Sequence, residues 1–251
     1  SRIEEMLLSL ASSGISGEGV IKLLTGTGKK NNYLIVPVTA DRGLCGGFNS
    51  SINRDSLKYI RSLETEGKNV NIITIGKKSR DFFTRLMKDK ITESFIELGS
   101  SGAGYDIALE ISNKIQNLYF KEKFDVCVLI YNRFKSAMTQ TVTHQQLIPL
   151  DLKNKESENS TVEISENSIY IYEPDESEIL KDLLPKNVSI QIFKVLLESN
   201  AGEQGARMVA MDNATRNAGE MIDSLTLKYN RTRQAYITKE LIEIISGAES
   251  V

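Results

Sequence analysis

The residue types most able to do chemistry in this chain fall in "TADRGLCGGFNSS" (39–51), a glycine-rich turn between an apolar run and an amphipathic stretch. Such a turn between strand and helix is where a nucleotide phosphate could sit. The dinucleotide fingerprint needs G-x-G-x-x-G, whereas Gly43, Gly46 and Gly47 are spaced differently. The next predicted strand ends "TIGKK", without the acid that would hold a ribose. A second stretch, "TGTGKK" (25–30), lacks the first glycine of a P-loop and the hydroxyl after its lysine. The favoured reading of the turn is structural, since glycine permits backbone conformations that other residues resist. Cys45 lies in the turn and is a candidate reactive thiol, with Arg42 the one cation assured beside it. Cys127, within "VCVLI", reads as core. His144 is the only histidine, on an alternating strand, so no second imidazole can join it at a metal; a surface or packing role is expected. Asn213 and Asn230 open glycosylation-type triplets, but both fall on predicted helix, and neither is taken as a site. No catalytic, cofactor-binding or metal-ligating set emerges.

The elements that would position these residues can be read from composition and period. A chain of 251 residues with 40% hydrophobic content can bury a core in one or two domains. A net charge of −2 gives no basic excess for nucleic acid. No apolar run approaches the roughly 18 residues of a membrane span, so no direct membrane insertion is expected. Two cysteines make no disulfide framework, which favours a reducing compartment. No signal peptide follows Ser1, so the chain reads as starting after processing or within a longer protein.

"SRIEEMLLSLASSG" spaces Ile3, Met6, Leu7 and Leu10 as a helix, and a polar connection carries the chain to about residue 29. From 30 to 175, strands at "YLIVPVT", "NVNIITIG", "FDVCVLIYNRF", "MTQTVTHQQLIPL" and "IYIYEPD" are expected. Helices at "GGFNSSINRDSLKYIRSLETEG", "KKSRDFFTRLMKD" and "SGAGYDIALEISNKIQNLYF" alternate with them, and the acidic run 151–168 reads as a surface loop. The alternation predicts a Rossmann-like layered α/β domain with a core of its own, able to fold without the residues after Pro185. Residues 176–251 form a C-terminal helical segment: one piece, "DESEILKDLLP", then a proline-free helix of about 55 residues, on the order of 80 Å long. Met211, Ala214, Ala218, Met221 and Leu225 repeat at intervals of 3 and 4, a coiled-coil seam. Ser1–Leu10 is too short to pair with it, so the second strand lies upstream of Ser1 or on another molecule. Arg231, Arg233, Lys239, Glu240 and Glu243 alternate in sign, as a solvated face or a partner-binding one.

Three stretches resemble the gamma subunit of F-type ATP synthase, in its alphaproteobacterial and mitochondrial branch: "DRGLCGGFN" (41–49), "YEPD" (172–175) and "ARMVAMDNATRNAGEMIDSLTLKYNRTRQAYITKELIEIISGA" (206–248). The resemblance extends over essentially the whole chain. It implies a non-catalytic rotary shaft that couples proton-driven rotation of the membrane c-ring to ATP synthesis or hydrolysis at beta-subunit sites. Implied partners are the alpha and beta subunits around the shaft, and epsilon and the c-ring at its foot; no cofactor is implied. Arg233 and Gln234 match a pair that hydrogen-bonds a beta-subunit loop. Ile237, Leu241, Ile244 and Ile245 match the shaft tip in its apolar collar. Tyr170, Tyr172, Glu173 and Asp175 match the foot near the c-ring and epsilon. Family members carry a long N-terminal helix antiparallel to the C-terminal one, which makes residues 1–29 the remnant of that helix and its connection, and the long helix half of an antiparallel coiled coil. The implied location is the cytoplasmic face of a bacterial inner membrane or the matrix face of the mitochondrial inner membrane, peripheral through the complex. The cysteine pair of chloroplast-type members is missing, so thiol regulation is not implied. Two other readings compete: a nucleotide-binding enzyme with a helical tail, whose glycine spacing is wrong, and a homodimeric coiled-coil scaffold, whose heptad Asn200, Gln204 and Arg207 interrupt.

Overall fold

In the computed structural model, which describes residues 22–97, 104–150 and 176–248, the apolar runs become a five-stranded sheet. A helical turn α1 (Lys22–Thr25) leads into β1 (Asn32–Pro37), α2 (Phe48–Thr65), β2 (Asn69–Ile75) and α3 (Lys77–Met87). A 3₁₀ turn (Lys88–Lys90) and β3 (Ile91–Phe95) come next, then α4 (Tyr105–Phe120), β4 (Val126–Phe134), β5 (Gln140–Ile148) and α5 (Glu176–Ala248). The strand order is β3-β2-β1-β4-β5. β1 to β4 run parallel and β5 pairs antiparallel with β4.

The continuous apolar runs of β1 and β4 arise because both sheet faces are covered. Leu34, Val36, Cys127 and Leu129 pack on the side of α4 and α5. Ile35, Val126, Val128 and Ile130 point the opposite way, onto Phe48, Ile52 and Ile60 of α2 and Phe83 of α3. At Gly76 the backbone takes φ +90°, and a Cβ would lie 2.1 Å from the Thr39 carbonyl oxygen, so only glycine fits between β2 and α3.

Three expectations need correction. "ITESF" forms β3, an edge strand the sequence does not announce; it is short and mostly polar, and its pairing with β2 decides it. The helical piece before Pro185 and the helix after it are one helix of 73 residues. Proline costs that helix an amide donor, but its neighbours Leu184 and Val188 are fully buried, and the Pro185 carbonyl accepts from Gln116 Nε2 (3.3 Å) and Ser189 Oγ (3.1 Å). Nor is the α/β core independent of the chain beyond Pro185, because Val188, Ile192, Val195 and Leu196 complete the core on the α4 side. The segment 1–21, the loop 151–168 and the strand ending at Asp175 lie outside the described residues.

Candidate functional site

The glycine-rich turn leaves the carboxyl end of β1, whose sheet neighbours are β2 and β4, the point where an open α/β sheet reverses its winding. Ligands of such sheets enter this crevice, but here α5 crosses it. Gly202 sits against the Phe48 ring, and Gly205 against Phe134 and Ala137. What remains is a cleft of ≈ 380 Å³ between Cys45–Phe48 on one side and Ala206, Val209 and Ala210 on the other. The Asp41 and Asn49 side chains of the turn are committed to the protein. Asn49 Oδ1 accepts from the Ala40 amide (2.9 Å), its Nδ2 donates to the Arg42 carbonyl (3.3 Å), and Asp41 Oδ1 accepts from the Lys77 amide (2.8 Å). Leu44 at φ +62° and Gly46 at φ +56° make the bend. The turn joins β1 to α2.

Cys45 is 2% exposed. Burial pushes its thiol up, the Glu203 carboxylate adds to that, and Arg207 only partly opposes them; the thiol is therefore held protonated and poorly nucleophilic. Cys127 is fully buried, and burial alone raises its thiol far above the ordinary range. His144 Nε2 pairs with Asp55, and its ring meets Tyr59 edge-on at 4.8 Å, tying β5 to α2. No cluster with metal-ligating geometry occurs among the described residues.

The second candidate surface is the far half of α5. From Met211 to Ala248 every residue but Asn230 is exposed. The seam residues Met211, Met221 and Leu225 are 40%, 65% and 60% exposed, and Ile237, Leu241, Ile244 and Ile245 are 49–69% exposed. Arg233 and Gln234 lie in the same final turns, with the Gln234 carbonyl accepting from Thr238 Oγ1 (2.9 Å) and Lys239 paired to Glu243 (3.6 Å). The structure thus brings six of the sequence-predicted partner residues together on one exposed rod, while Tyr170, Tyr172, Glu173 and Asp175 lie outside the described residues. A single seam understates this surface. Ile222, Tyr229 and Tyr236, 63–66% exposed, recur at 7-residue intervals and widen the seam, while Leu227 and Ile242, 72% and 60% exposed, lie off it. The sequence signal for the first three is apolar residues at 7-residue spacing beside the seam. No helix among the described residues is long and apolar enough to cross a membrane.

Residues 1–251 match the family model described as ATP synthase. The ATP synthase gamma chain of Rhodospirillum rubrum is 52% identical over 252 residues, covering all of this chain and 84% of that protein. The gamma chain of Pelagibacter ubique is 51% identical with the same coverage. Among solved structures, a chain of the Euglena gracilis mitochondrial ATP synthase (OSCP/F1/c-ring, rotational state 3) superposes with a TM-score of 0.65 at 20% identity, covering 99% of this chain and 85% of that one. A chain of the Tetrahymena thermophila central stalk and c-ring gives 0.58 at 24% identity, covering 85% and 94%. At these identities the structural matches establish the shared fold. The family model spans every residue and about half the positions are identical to proteins of that name, so the chain belongs to the ATP synthase gamma-chain family.

Proposed function

We propose that this chain is the central rotary shaft of an F1 sector, coupling proton-driven c-ring rotation to ATP synthesis or hydrolysis at beta-subunit sites while doing no chemistry itself. The observation that supports this best is the division of α5. Its first part completes a folded body, and its last part, on the order of 55 Å long, presents apolar side chains in all directions. A helix exposed on every side is matched by partners that surround it, here alpha and beta subunits. The seam Met211–Leu225 pairs with a second helix in an antiparallel coiled coil. Ile237, Leu241, Ile244 and Ile245 turn in an apolar collar, and Arg233 with Gln234 grips a beta-subunit loop, a role suited to the planar guanidinium fork. Tyr170, Tyr172, Glu173 and Asp175 belong to the foot beside epsilon and the c-ring. The complex holds the chain peripherally at the cytoplasmic face of a bacterial inner membrane or the matrix face of a mitochondrial one.

The mechanism is allostery by differential contact: an asymmetric shaft touches each beta subunit differently at each angle and so biases its conformational equilibrium. In the assembled complex, Arg233→Ala removes a charge-assisted contact worth roughly 1.5–3 kcal/mol where desolvated, and steady-state ATP hydrolysis falls accordingly. Parental turnover in both Arg233→Ala and Gln234→Ala would show that this pair is not the beta contact. The chain alone turns over no ATP; activity abolished by a substitution within this chain's own turn would overturn the shaft reading.

A further inference from the structure

The last contacts between α5 and the sheet domain fall just before Met211, and they are built unlike the rest of the interface. At Gly202 a Cβ would meet Phe48 Cε2 at 3.2 Å and the Asn132 carbonyl at 3.6 Å. At Gly205 it would meet Ala137 Cα and Phe134 Cε2, both at 3.2 Å. The helix backbone itself therefore bears on the start of α2 and on the β4–β5 hairpin. The Arg207 side chain closes the contact: its Nη2 donates to the Gly43 carbonyl (3.4 Å) and to Glu203 Oε1 (2.6 Å). Both side chains of that pair are largely covered, at 24% and 17% exposure. Behind them Asn132 Nδ2 donates to the Phe48 carbonyl (3.2 Å) and Ser51 Oγ (3.4 Å), which locks the hairpin to the start of α2.

A rod held at one end carries its bending and twisting load at the last supported point. Beyond Val209, Ala210 and Asn213, which still line the cleft, the helix is exposed but for Asn230 among the described residues. At Gly202 and Gly205 no helix side chain stands between the α5 backbone and its neighbours, the Phe48 and Phe134 rings and the Ala137 backbone. Close packing rather than a yielding helix side chain therefore sets the separation and stiffens the contact. We propose that Gly202, Gly205 and Arg207, seated on Phe48, Phe134 and Gly43, form a rigid joint that passes torque between the α/β body and the shaft. Its torque-carrying role rests on the rotary-shaft reading above; its stiffness does not. On this account the glycine-rich turn presents the Gly43 carbonyl as an anchor for Arg207. These are positioning residues, acting through the shaft.

The joint is tested in the full chain with spin labels at Arg61 on α2 and Glu220 on α5. The parent gives a narrow distance distribution. Arg207→Ala and Gly205→Leu widen it, and Arg207→Ala speeds amide exchange at residues 43–47 and 203–207 by about tenfold, the factor for one charge-assisted hydrogen bond. Arg216→Ala, which removes only the bond to Asn213 Oδ1 on the same helix, changes neither readout. Arg207→Ala decides the matter if Gly205→Leu fails to fold, and an unchanged distribution in it overturns the joint. In the assembled complex, Arg207→Ala lowers ATP synthesis driven by an imposed proton gradient. A widened distribution with undiminished synthesis overturns the transfer of torque. A parent chain supplied with the antiparallel partner helix that still never assembles with alpha and beta subunits overturns the shaft reading instead, while the label distances still decide whether the joint is rigid.

Discussion

Asp125, just before β4, is 7% exposed and accepts from four donors at the entry to β1: the Thr27 hydroxyl at 2.8 Å, the backbone amides of Asn31 at 3.1 Å and Asn32 at 3.0 Å, and Asn32 Nδ2 at 3.4 Å. Burial works to raise its carboxyl, but these bonds, led by the Asn32 amide, outweigh it and hold the group below its ordinary value. The folded chain therefore binds this proton less readily than the unfolded one. The resulting stability is complete above the ordinary carboxylate range and is lost as pH falls through the lower folded value. Asp125→Ala should cost about 1–3 kcal/mol at neutral pH by urea unfolding, with the gap to the parent narrowing below about pH 4. Glycine positions allow a second test at this scale. Gly76→Ala drives a Cβ into the Thr39 carbonyl and should cost roughly 3–5 kcal/mol. Gly67→Ala, at φ +75° with open space around it, should cost only about 1 kcal/mol. Thermal melts of the two variants separate steric from torsional strain.

α5 is one helix with two environments. Up to about Ala206 it behaves as a core helix, and the Ser112 and Ser189 hydroxyls share a hydrogen bond (2.9 Å) inside its contact with α4, with Ser112 donating because Ser189 donates to the Pro185 carbonyl. Removing everything after Pro185 strips Val188, Ile192, Val195 and Leu196 from the core, each worth about 1.5–3 kcal/mol of burial. Their sum rivals the whole stability of a typical domain, so this truncation should abolish the cooperative melt followed by circular dichroism. Ending the chain after Asn213 should preserve it, because the residues removed are exposed and add nothing to the core of the body. Equal melts for both truncations would show that the helix is an appendage. Leu196→Ala, a single cavity in the same interface, should cost about 2–5 kcal/mol.

Among the described residues, the molecule is a folded body with a rod whose far half is exposed. Tertiary packing supplies most helix stability in proteins, and α5 beyond Met211 has none from the described residues of its own chain. Amides of residues 211–248 should therefore exchange much faster than those of residues 184–196. Binding to alpha and beta subunits should slow them selectively, with the largest change around Arg233 to Ile245. Uniform protection along α5 in the isolated chain would contradict this division. Mass spectrometry of exchanged peptides reads both segments in one experiment.

Much of this was legible without coordinates. The continuous apolar runs of β1 and β4, the alternation of β5 and the 3.6 patterns of α2, α3 and α4 record which sides of each element are apolar, a local property that the chain states directly. The resemblance carried by residues 41–49 and 206–248 identifies the family because so specific a residue order rarely recurs by chance. The sequence also shows that Ile237, Leu241, Ile244 and Ile245 need a partner. Other features were decided only in three dimensions. β3 is a strand because β2 lies beside it, not because of its own residues. Pro185 sits inside a helix because the core on either side of it outweighs one lost amide bond. Residues 188–196 belong to the body and 211–248 do not, although both segments read as amphipathic helix. A periodic pattern records that a face is apolar; which surface covers it depends on contacts between residues far apart in the chain.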